Sequence, residues 1–262
     1  MLSAQPLKQI EVDADVDLDD VDPPAPFTLA PNRVALVAAD RRATFGYAPF
    51  FSDIAETADA AGCDAVVYAL APSPGIPLVT HSQLFGRARR VSTVFLEVTE
   101  PSGCAVVEVW RRGVRIPHRF RQRLVRSQDS DWSKRALMSG LGARTFGPTM
   151  FLACGEANII STQRSTAITI DRFGFLPSLA GRRLILNSSH TYMVRPEMKE
   201  KRRRYSEDGR VVLSVWNPGH HAREAKLPWQ AFVDGDDASG LIESIRFTEP
   251  LIHIGVYGLG SV

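Results

Sequence analysis

The 262-residue chain has 44% hydrophobic residues, enough to bury the core of one large globular domain. It has no apolar run of the roughly 18 residues that a membrane-spanning helix needs, and its first residues lack the basic start and apolar centre of a signal peptide. We therefore expect a cytoplasmic protein without a membrane segment. The formal net charge of the whole chain is +2.

The first 32 residues are strongly acidic. They hold seven acidic residues and one basic residue, Lys8, which leaves 30 basic and 22 acidic residues in the remainder. A segment of this composition, punctuated by the prolines of DPPAP, buries too little apolar surface to offset its ordering entropy. We predict that residues 1–32 form an arm that is flexible or ordered by a protein partner, and that residues 33–262 form one domain.

The cysteines and histidines give no metal-binding pattern. Cys63, Cys104 and Cys154 are odd in number, far apart and without CxxC spacing, which fits a reducing compartment and argues against a zinc site. His220 and His221 are adjacent, so on an extended segment their side chains would point in opposite directions. We expect neither a metal nor another cofactor.

The first half of the domain contains buried strands and a helix. The apolar run at 33–38 predicts a strand, residues 52–62 predict a helix that ends at a glycine, and residues 63–71 predict a second strand. This strand-helix-strand unit is expected to be parallel. Residues 91–98 and 104–110 predict two further strands, joined by the turn EPSG and paired antiparallel.

The second half alternates in the same way. It comprises a connection at 127–147, a strand at 149–154, a helix or loop at 161–180, a strand at 182–189, a charged helix at about 195–208, a strand at 211–216 and two extended segments within 244–259. Since helices alternate with strands, some of them antiparallel neighbours, the pattern predicts a mixed α/β protein built in layers.

Three sequence blocks resemble the nitrilase superfamily of carbon-nitrogen hydrolases. They are AAGCDAVVYALAP, FLACGEANII and RRLILNSSHTYM followed by KEKRRRYSEDGRVVLSVWN, in which Asn187, His190 and Asn217 match family positions. The resemblance covers roughly residues 33–259. It implies an α/β fold of the four-layer αββα sandwich type.

Members of this family use a Glu-Lys-Cys triad. A cysteine thiolate attacks an amide or nitrile carbon, a glutamate acts as base, and a lysine stabilises the oxyanion. The resemblance places Cys154 at the nucleophile position and Glu156 at an acidic position that often follows it. It implies a catalytic role for both residues.

The other two triad positions depart from the family pattern. The strand that should end in glutamate reads YALAP, without a carboxylate, and the lysine segment reads GVRIPHRFRQRL, which offers Arg121 or Gln122. Arg121 is the candidate oxyanion donor, because its guanidinium is always charged and rich in donors. Glu97 and Glu108, on neighbouring strands, are candidate substitutes for the base.

These departures favour a catalytically degenerate protein that keeps the fold and binds an amide-like or nitrile-like small molecule or a protein partner. The alternative is an active amidohydrolase with Cys154 as nucleophile and a base other than the family's glutamate. Asn187 and His190 are the candidate substrate-binding residues in either case. The resemblance also implies a homo-oligomer that associates through its sandwich faces.

Two basic runs raise a third alternative, a nucleic-acid-binding module. Seven arginines fall within residues 111–126, and KEKRRR occupies residues 199–204. Such charge is what phosphate binding needs, and Phe120 could stack on a base. Because glutamates share the second run and no nucleic-acid-binding motif accompanies either, we do not expect nucleic acid as the partner.

Overall fold

The computed structural model describes residues 22–40, 47–70, 80–99, 105–125, 130–163, 168–190, 195–218 and 227–261. Its strands are β1 Arg33–Ala39, β2 Ala65–Tyr68, β3 Thr93–Thr99, β4 Ala105–Arg111, β5 His118–Arg121, β6 Thr145–Phe146, β7 Thr149–Ala153, β8 Ser161–Thr162, β9 Thr169–Ile170, β10 Leu184–Ser189, β11 Val211–Trp216, β12 Trp229–Val233, β13 Asp236–Asp237, β14 Glu243–Ile245 and β15 Ile252–Gly258. Its α-helices are α1 Phe51–Ala60, α2 His81–Phe85, α3 Asp131–Ser139, α4 Phe175–Ser178 and α5 Pro196–Ser206.

The strands form two large sheets. The first sheet has the order β14-β15-β1-β2-β3-β4-β5, and the second has the order β13-β12-β11-β10-β7-β6. The predicted parallel pairing of β1 with β2 and antiparallel pairing of β3 with β4 are both confirmed. In the second sheet β7, β10 and β11 are parallel, so their carboxyl ends meet at one edge.

The strands are apolar on both faces because both faces are covered. In β1, Val34 and Leu36 belong to the core between the sheets, whereas Ala35 and Val37 pack with the helices α1 and α2. This double burial explains why the central strands are continuous apolar runs and not an alternation of apolar and polar residues.

The layers have the order helix, sheet, sheet, helix. The helices α1 and α2 cover the outer face of the first sheet, and residues of α3, α4 and α5 cover the outer face of the second. Between the sheets, the rings of Phe95 and Phe151 stack with centroids 5.0 Å apart. The predicted four-layer αββα sandwich is therefore confirmed.

Some elements were not predicted. The helix α3 lies in the predicted connection at 127–147, where the Ser130 hydroxyl caps it and Ala136 and Leu137 are buried. The strands β5 and β12 were also missed, and 161–180 contains two short strands and the single turn of α4. In the described part of the chain, no helix is both long and apolar enough to cross a bilayer.

Residues 22–32, assigned from the sequence to the acidic arm, pack against the domain. Leu29 is buried in the core between the sheets, its carbonyl accepts a hydrogen bond of 2.7 Å from Thr149, and the rings of Phe27 and Phe146 lie 5.1 Å apart. The Ala25 amide adds a hydrogen bond to the Gly142 carbonyl. Residues 1–21 lie outside the described residues.

Candidate functional site

The candidate site lies where strands from both sheets end. Ala153 of β7 pairs in parallel with Ser188 of β10, so the residues that follow these strands, Cys154 and His190, emerge at the same edge of the second sheet. Glu97 lies near the carboxyl end of β3 in the first sheet. It is two residues beyond Phe95 and therefore shares the face that looks towards the second sheet.

Cys154, His190 and Glu97 form a continuous chain of hydrogen bonds. The Nε2 atom of His190 lies 2.9 Å from Oε1 of Glu97, and a second side-chain hydrogen bond joins His190 to Cys154. The side chain of Glu97 is 5% exposed and that of His190 is 30% exposed. The histidine is therefore held between a thiol and a buried carboxylate while keeping an exposed edge.

The surroundings of His190 favour its protonated form. Burial lowers the pKa of the imidazole, but hydrogen bonds to Cys154 and Glu97, together with their charges, outweigh burial and raise the pKa to about 10. The ring is therefore an imidazolium at neutral pH, and its Nε2–H donates to Glu97. This cation lies beside the Cys154 side chain.

The other described cysteine has a contrasting environment. Cys63 is fully buried in the core on the helix side of the first sheet, and burial raises the pKa of its thiol to about 12. Cys154 is partly exposed. The two described thiols therefore differ in access to solvent, and Cys104 lies outside the described residues.

Glu156 holds the short 3-10 segment Cys154–Asn158, here called the Cys154 turn. Its Oε2 accepts a hydrogen bond of 3.0 Å from the Ala153 amide, and its Oε1 accepts one of 2.8 Å from the Arg123 amide. Arg144 pairs with Glu156 at 3.0 Å, and both side chains are fully buried. These contacts show Glu156 holding the turn in place, and its catalytic role stays a prediction.

Gly155 allows the neighbouring chain to lie directly on the Cys154 turn. A Cβ atom at this position would overlap the carbonyl oxygen of Leu124 and the backbone of Val125. Every other residue carries that atom, so the glycine is required by packing. The close approach helps to bring the Arg123 amide within reach of Glu156.

Arg121 lies on the outer face of the first sheet. It pairs with Val106, whereas its strand neighbour Phe120 pairs with Val107 and faces the core between the sheets. The Arg121 amide donates to Asp22 at 3.2 Å, and its carbonyl accepts from Arg144. The Arg121 side chain therefore lies on the opposite face of the sheet from Glu97, and its oxyanion role stays a prediction.

The structure separates the two predicted substrate-binding residues. His190 belongs to the hydrogen-bonded chain, whereas Asn187 follows Ile185 on the helix side of the second sheet. Asn187 donates a hydrogen bond of 3.0 Å to the Leu152 carbonyl and accepts one of 3.4 Å from Ser214. It stabilises the strand end from the opposite face.

Buried hydrogen bonds join the two sheets at the same edge. Asn217, which follows β11, accepts hydrogen bonds from the Ala39 amide at 3.0 Å and from the Tyr47 hydroxyl at 2.6 Å. Its amide group donates to the Leu70 carbonyl at 2.6 Å. Asn217 therefore fixes the ends of β1 and β2, where the family's glutamate strand would end, against the second sheet.

The two carboxylates proposed from the sequence as substitute bases face opposite sides of the first sheet. Glu108 accepts a hydrogen bond of 2.8 Å from Trp110 and pairs with Arg119 at 3.1 Å on the outer face. The sequence of β3 does not show which face Glu97 is on, because its neighbours Phe95 and Leu96 are both apolar and lie on opposite faces. The bond between Glu97 and His190 had no sequence signal of its own.

Most of the second basic run is engaged within the protein. Lys201 and Arg202 are buried, and Arg203 pairs with Glu200 at 2.6 Å. Among the described residues, no group of three or more His, Cys, Asp or Glu side chains is arranged to hold a metal ion. His220 and His221 lie outside that set.

The solved structures that are similar to this chain include three of Nesterenkonia amidases. A cysteine-to-serine mutant of the Nesterenkonia AN1 amidase from the nitrilase superfamily is 14% identical, with 88% of this chain and 92% of that chain covered and a TM-score of 0.48. An amidase from Nesterenkonia sp. is 14% identical, with coverage of 89% and 93% and a TM-score of 0.46. A mutant amidase from Nesterenkonia sp. AN1, with the acetamide moiety of fluoroacetamide added covalently at the active-site cysteine, is 16% identical, with coverage of 86% and 90% and a TM-score of 0.46.

No family model and no curated protein matches the chain.

Proposed function

We propose that the protein is a cysteine hydrolase that cleaves the carbon-nitrogen bond of a small amide. In this proposal Cys154 is the nucleophile, His190 carries the proton, and Glu97 orients His190. The observation that carries the proposal is the hydrogen-bonded chain from the thiol through the imidazole to the buried carboxylate. A nucleophile, a base and a group that orients the base form the basic unit of nucleophilic catalysis.

The first half-reaction uses the imidazolium as an acid. The Cys154 thiolate attacks the carbonyl carbon, a carbon-sulfur bond forms, and the carbonyl electron pair moves to oxygen. When the tetrahedral intermediate collapses, the carbon-nitrogen bond breaks and His190 donates its proton to the departing nitrogen. The products are ammonia or an amine and a thioester at Cys154.

The second half-reaction uses the neutral imidazole as a base. His190 takes a proton from water, the hydroxide attacks the thioester, and the carbon-sulfur bond breaks to release the carboxylic acid. Cys154 returns as a thiolate and His190 as an imidazolium. Glu97 accepts a hydrogen bond from the ring and stabilises its charged form, which is the role of the third group in such triads.

The nitrilase resemblance supports the amide class, whereas the base differs from the family's glutamate. The departure at YALAP removes a carboxylate from the end of β2, and the thiol instead has the imidazole of His190 as its neighbour. No lysine occurs between residues 93 and 125, so the oxyanion would have to be stabilised by a group other than the family's lysine.

The test combines thiol labelling with a substrate panel. The purified protein is incubated with short aliphatic and aromatic amides and nitriles, ammonia release is measured, and acyl adducts are mapped by mass spectrometry. We expect an adduct at Cys154 and turnover that the Cys154→Ala variant abolishes. The His190→Gln variant should lower turnover by about 10²–10⁴-fold, the usual contribution of a positioned acid-base group.

Two matched glutamate variants test whether turnover depends on the carboxylate that contacts His190 or on any carboxylate of this sheet. Glu97→Gln should lower turnover, whereas Glu108→Gln, on the outer face of the same sheet, should leave it unchanged. Ligand binding without turnover, which the degenerate triad suggested, would appear as saturable binding of an amide with no ammonia and no adduct. That result, with Cys154 alkylated no faster than free cysteine, would overturn the enzymatic proposal.

A further inference from the structure

A cavity opens at the end of the sandwich opposite to Cys154. Thr149, Leu184 and Val211 are the first residues of the parallel strands β7, β10 and β11, pair side by side and line this cavity. The segment that follows β15 lines it from the first sheet. The five residues of β7, at about 3.3 Å each, place Thr149 roughly 16 Å from Cys154. The cavity is therefore separate from the candidate functional site.

The cavity has the size and the apolar wall of a small-molecule site. Its volume is about 380 Å³, and ligand pockets have roughly 300–1,000 Å³. Leu184 and Val211 belong to the core between the sheets, and Leu259 packs against that core. Pro31 and Pro148 add further apolar surface to the lining. The cavity is therefore suited to an apolar group that extends towards the core.

Two glycines leave part of the cavity wall without side chains. Gly209 and Gly260 both line the cavity, and a Cβ atom at either position would meet no atom within 4 Å. Gly209 has a φ of +71°, in the left-handed region that favours glycine. The bare backbone at these two positions lets a ligand approach closely.

One arginine gives the cavity a positive charge. Arg183, which directly precedes β10, is exposed and is the one charged residue among the described residues that line the cavity. In the described part of the chain, no acidic side chain pairs with it. A guanidinium is always charged and binds a carboxylate through two parallel hydrogen bonds. Arg183 is therefore suited to an anionic head group.

The acidic residues close in sequence to this wall are engaged elsewhere. Asp208 pairs with Arg210 at 3.1 Å, and Asp234 accepts a hydrogen bond of 2.9 Å from the Gly209 amide. Neither belongs to the described lining, to which Asn32 adds an uncharged amide that can donate hydrogen bonds. An anion in the cavity therefore meets a cation and neutral polar groups.

We propose that this cavity binds a small aliphatic carboxylate. The Arg183 guanidinium holds the carboxylate group, and the apolar tail lies against Leu184, Val211 and Leu259. The lining supplies both parts of this recognition, since an apolar wall alone would not distinguish an acid from an alcohol. Because the cavity lies at the far end of β7, the inference does not depend on the proposed hydrolase function.

The experiment measures the binding of octanoate by isothermal titration calorimetry. Cys154 is first alkylated with iodoacetamide, so that the candidate active site is blocked. Backbone amide chemical shifts of the labelled protein then locate the bound octanoate. We expect saturable binding at one site, with shifts at the amides of Gly209 and Leu259 and none at the amide of Gly155.

The role of the charge is tested at Arg183. Arg183→Gln should weaken octanoate binding by about tenfold or more, the effect of losing a hydrogen bond to a charged group. It should leave the binding of 1-octanol unchanged, because this ligand has the same tail and no charge. Arg246→Gln is the matched control, since Arg246 is exposed after β14 and is not part of the described lining. It should change neither affinity.

The role of the apolar wall is tested at Leu259. Leu259→Ala should weaken the binding of both octanoate and 1-octanol by about tenfold, because part of the apolar contact with the tail is lost. Leu241→Ala is the matched control, since Leu241 is 65% exposed and is not part of the described lining. It should change neither affinity, and the melting temperature of each unliganded variant checks its fold.

Three results would overturn the inference. The first is the absence of saturable octanoate binding, and the second is binding that shifts the Gly155 amide in place of the Gly209 amide. The third is an equal octanoate affinity in Arg183→Gln and the unmodified protein, since the carboxylate would then not be recognised at this cavity. The proposed hydrolase fails on different evidence, namely no adduct and no turnover at Cys154.

Discussion

His190 Nε2 lies 2.9 Å from Glu97 Oε1, and this single bond connects the end of β10 in the second sheet to β3 in the first. Cys154 and His190 come from neighbouring strands, but the carboxylate reaches them across the sandwich. The hydrogen-bonded chain of Cys154, His190 and Glu97 is therefore complete only when the two sheets are packed together.

The charge on His190 should make stability depend on pH. The pKa of the imidazole rises from 6.5 to about 10 in the folded protein, so its protonation stabilises the fold fully below pH 6.5, and this contribution is lost as the pH rises towards 10. The loss of unfolding free energy in His190→Gln should shrink between pH 6.5 and 10, as measured by urea denaturation. If His190→Gln lost the same unfolding free energy at pH 6.5 and at pH 10, the raised pKa of His190 would be contradicted. Glu97→Gln should make the stability of the protein depend less on pH in this range.

Breaking the buried pair of Arg144 and Glu156 should strongly destabilise the protein. Glu156→Gln removes the nearer of the two carboxylates beside a fully buried guanidinium and leaves only Asp22, at 3.6 Å, so the unfolding free energy should fall by about 3 kcal/mol. The matched control is Glu243→Gln, because Glu243 pairs with Arg33 at the surface, where a loss below about 1 kcal/mol is expected. Comparable losses of unfolding free energy in the two variants would show that burial does not determine how much an ion pair stabilises this protein.

Adding one methyl group at Gly155 should disturb the Cys154 turn. Gly155→Ala places a Cβ atom against the Leu124 carbonyl, and overpacking of this kind costs about 1–3 kcal/mol. We expect a lower urea midpoint together with slower alkylation of Cys154. Gly240→Ala, where a Cβ atom would meet no atom within 4 Å, should change neither measurement.

The role of Asn187 can be separated from that of His190. Asn187→Ala leaves the buried Leu152 carbonyl without its side-chain donor, which should cost about 1–3 kcal/mol of unfolding free energy. The pH profile of Cys154 alkylation should stay unchanged, whereas His190→Gln should move it. Impaired amide binding in Asn187→Ala without a loss of stability would instead favour the substrate-binding role predicted from the sequence.

The strands were predictable where both faces are buried, because β1, β2 and β11 are short apolar runs with clear ends. The helix α3 was missed because its apolar face is narrow, with only Ala136 and Leu137 buried. The strand β12 was also missed, although Pro228 precedes it and Asp234 and Gly235 follow it.

At the candidate site, the sequence provided the components but not their pairing. Cys154 and His190 fall in motif blocks, and Glu97 was one of two carboxylates considered as a base. The choice between Glu97 and Glu108 depends on which strand face meets the second sheet, a tertiary property. Arg144 was not considered at all, since it lies in the predicted connection and its partner, Glu156, was expected to act in catalysis.

The bonds that Asn217 makes to β1 and β2 also limit how the protein can fluctuate. The Ala39 amide is bonded to Asn217, and the Leu70 amide to the Ser189 carbonyl, so neither proton can exchange with solvent unless the sheets separate. Hydrogen exchange at these two positions should therefore require global opening. Under the proposed function, a substrate must therefore reach the Cys154 sulfur from the protein surface while the two sheets stay packed together.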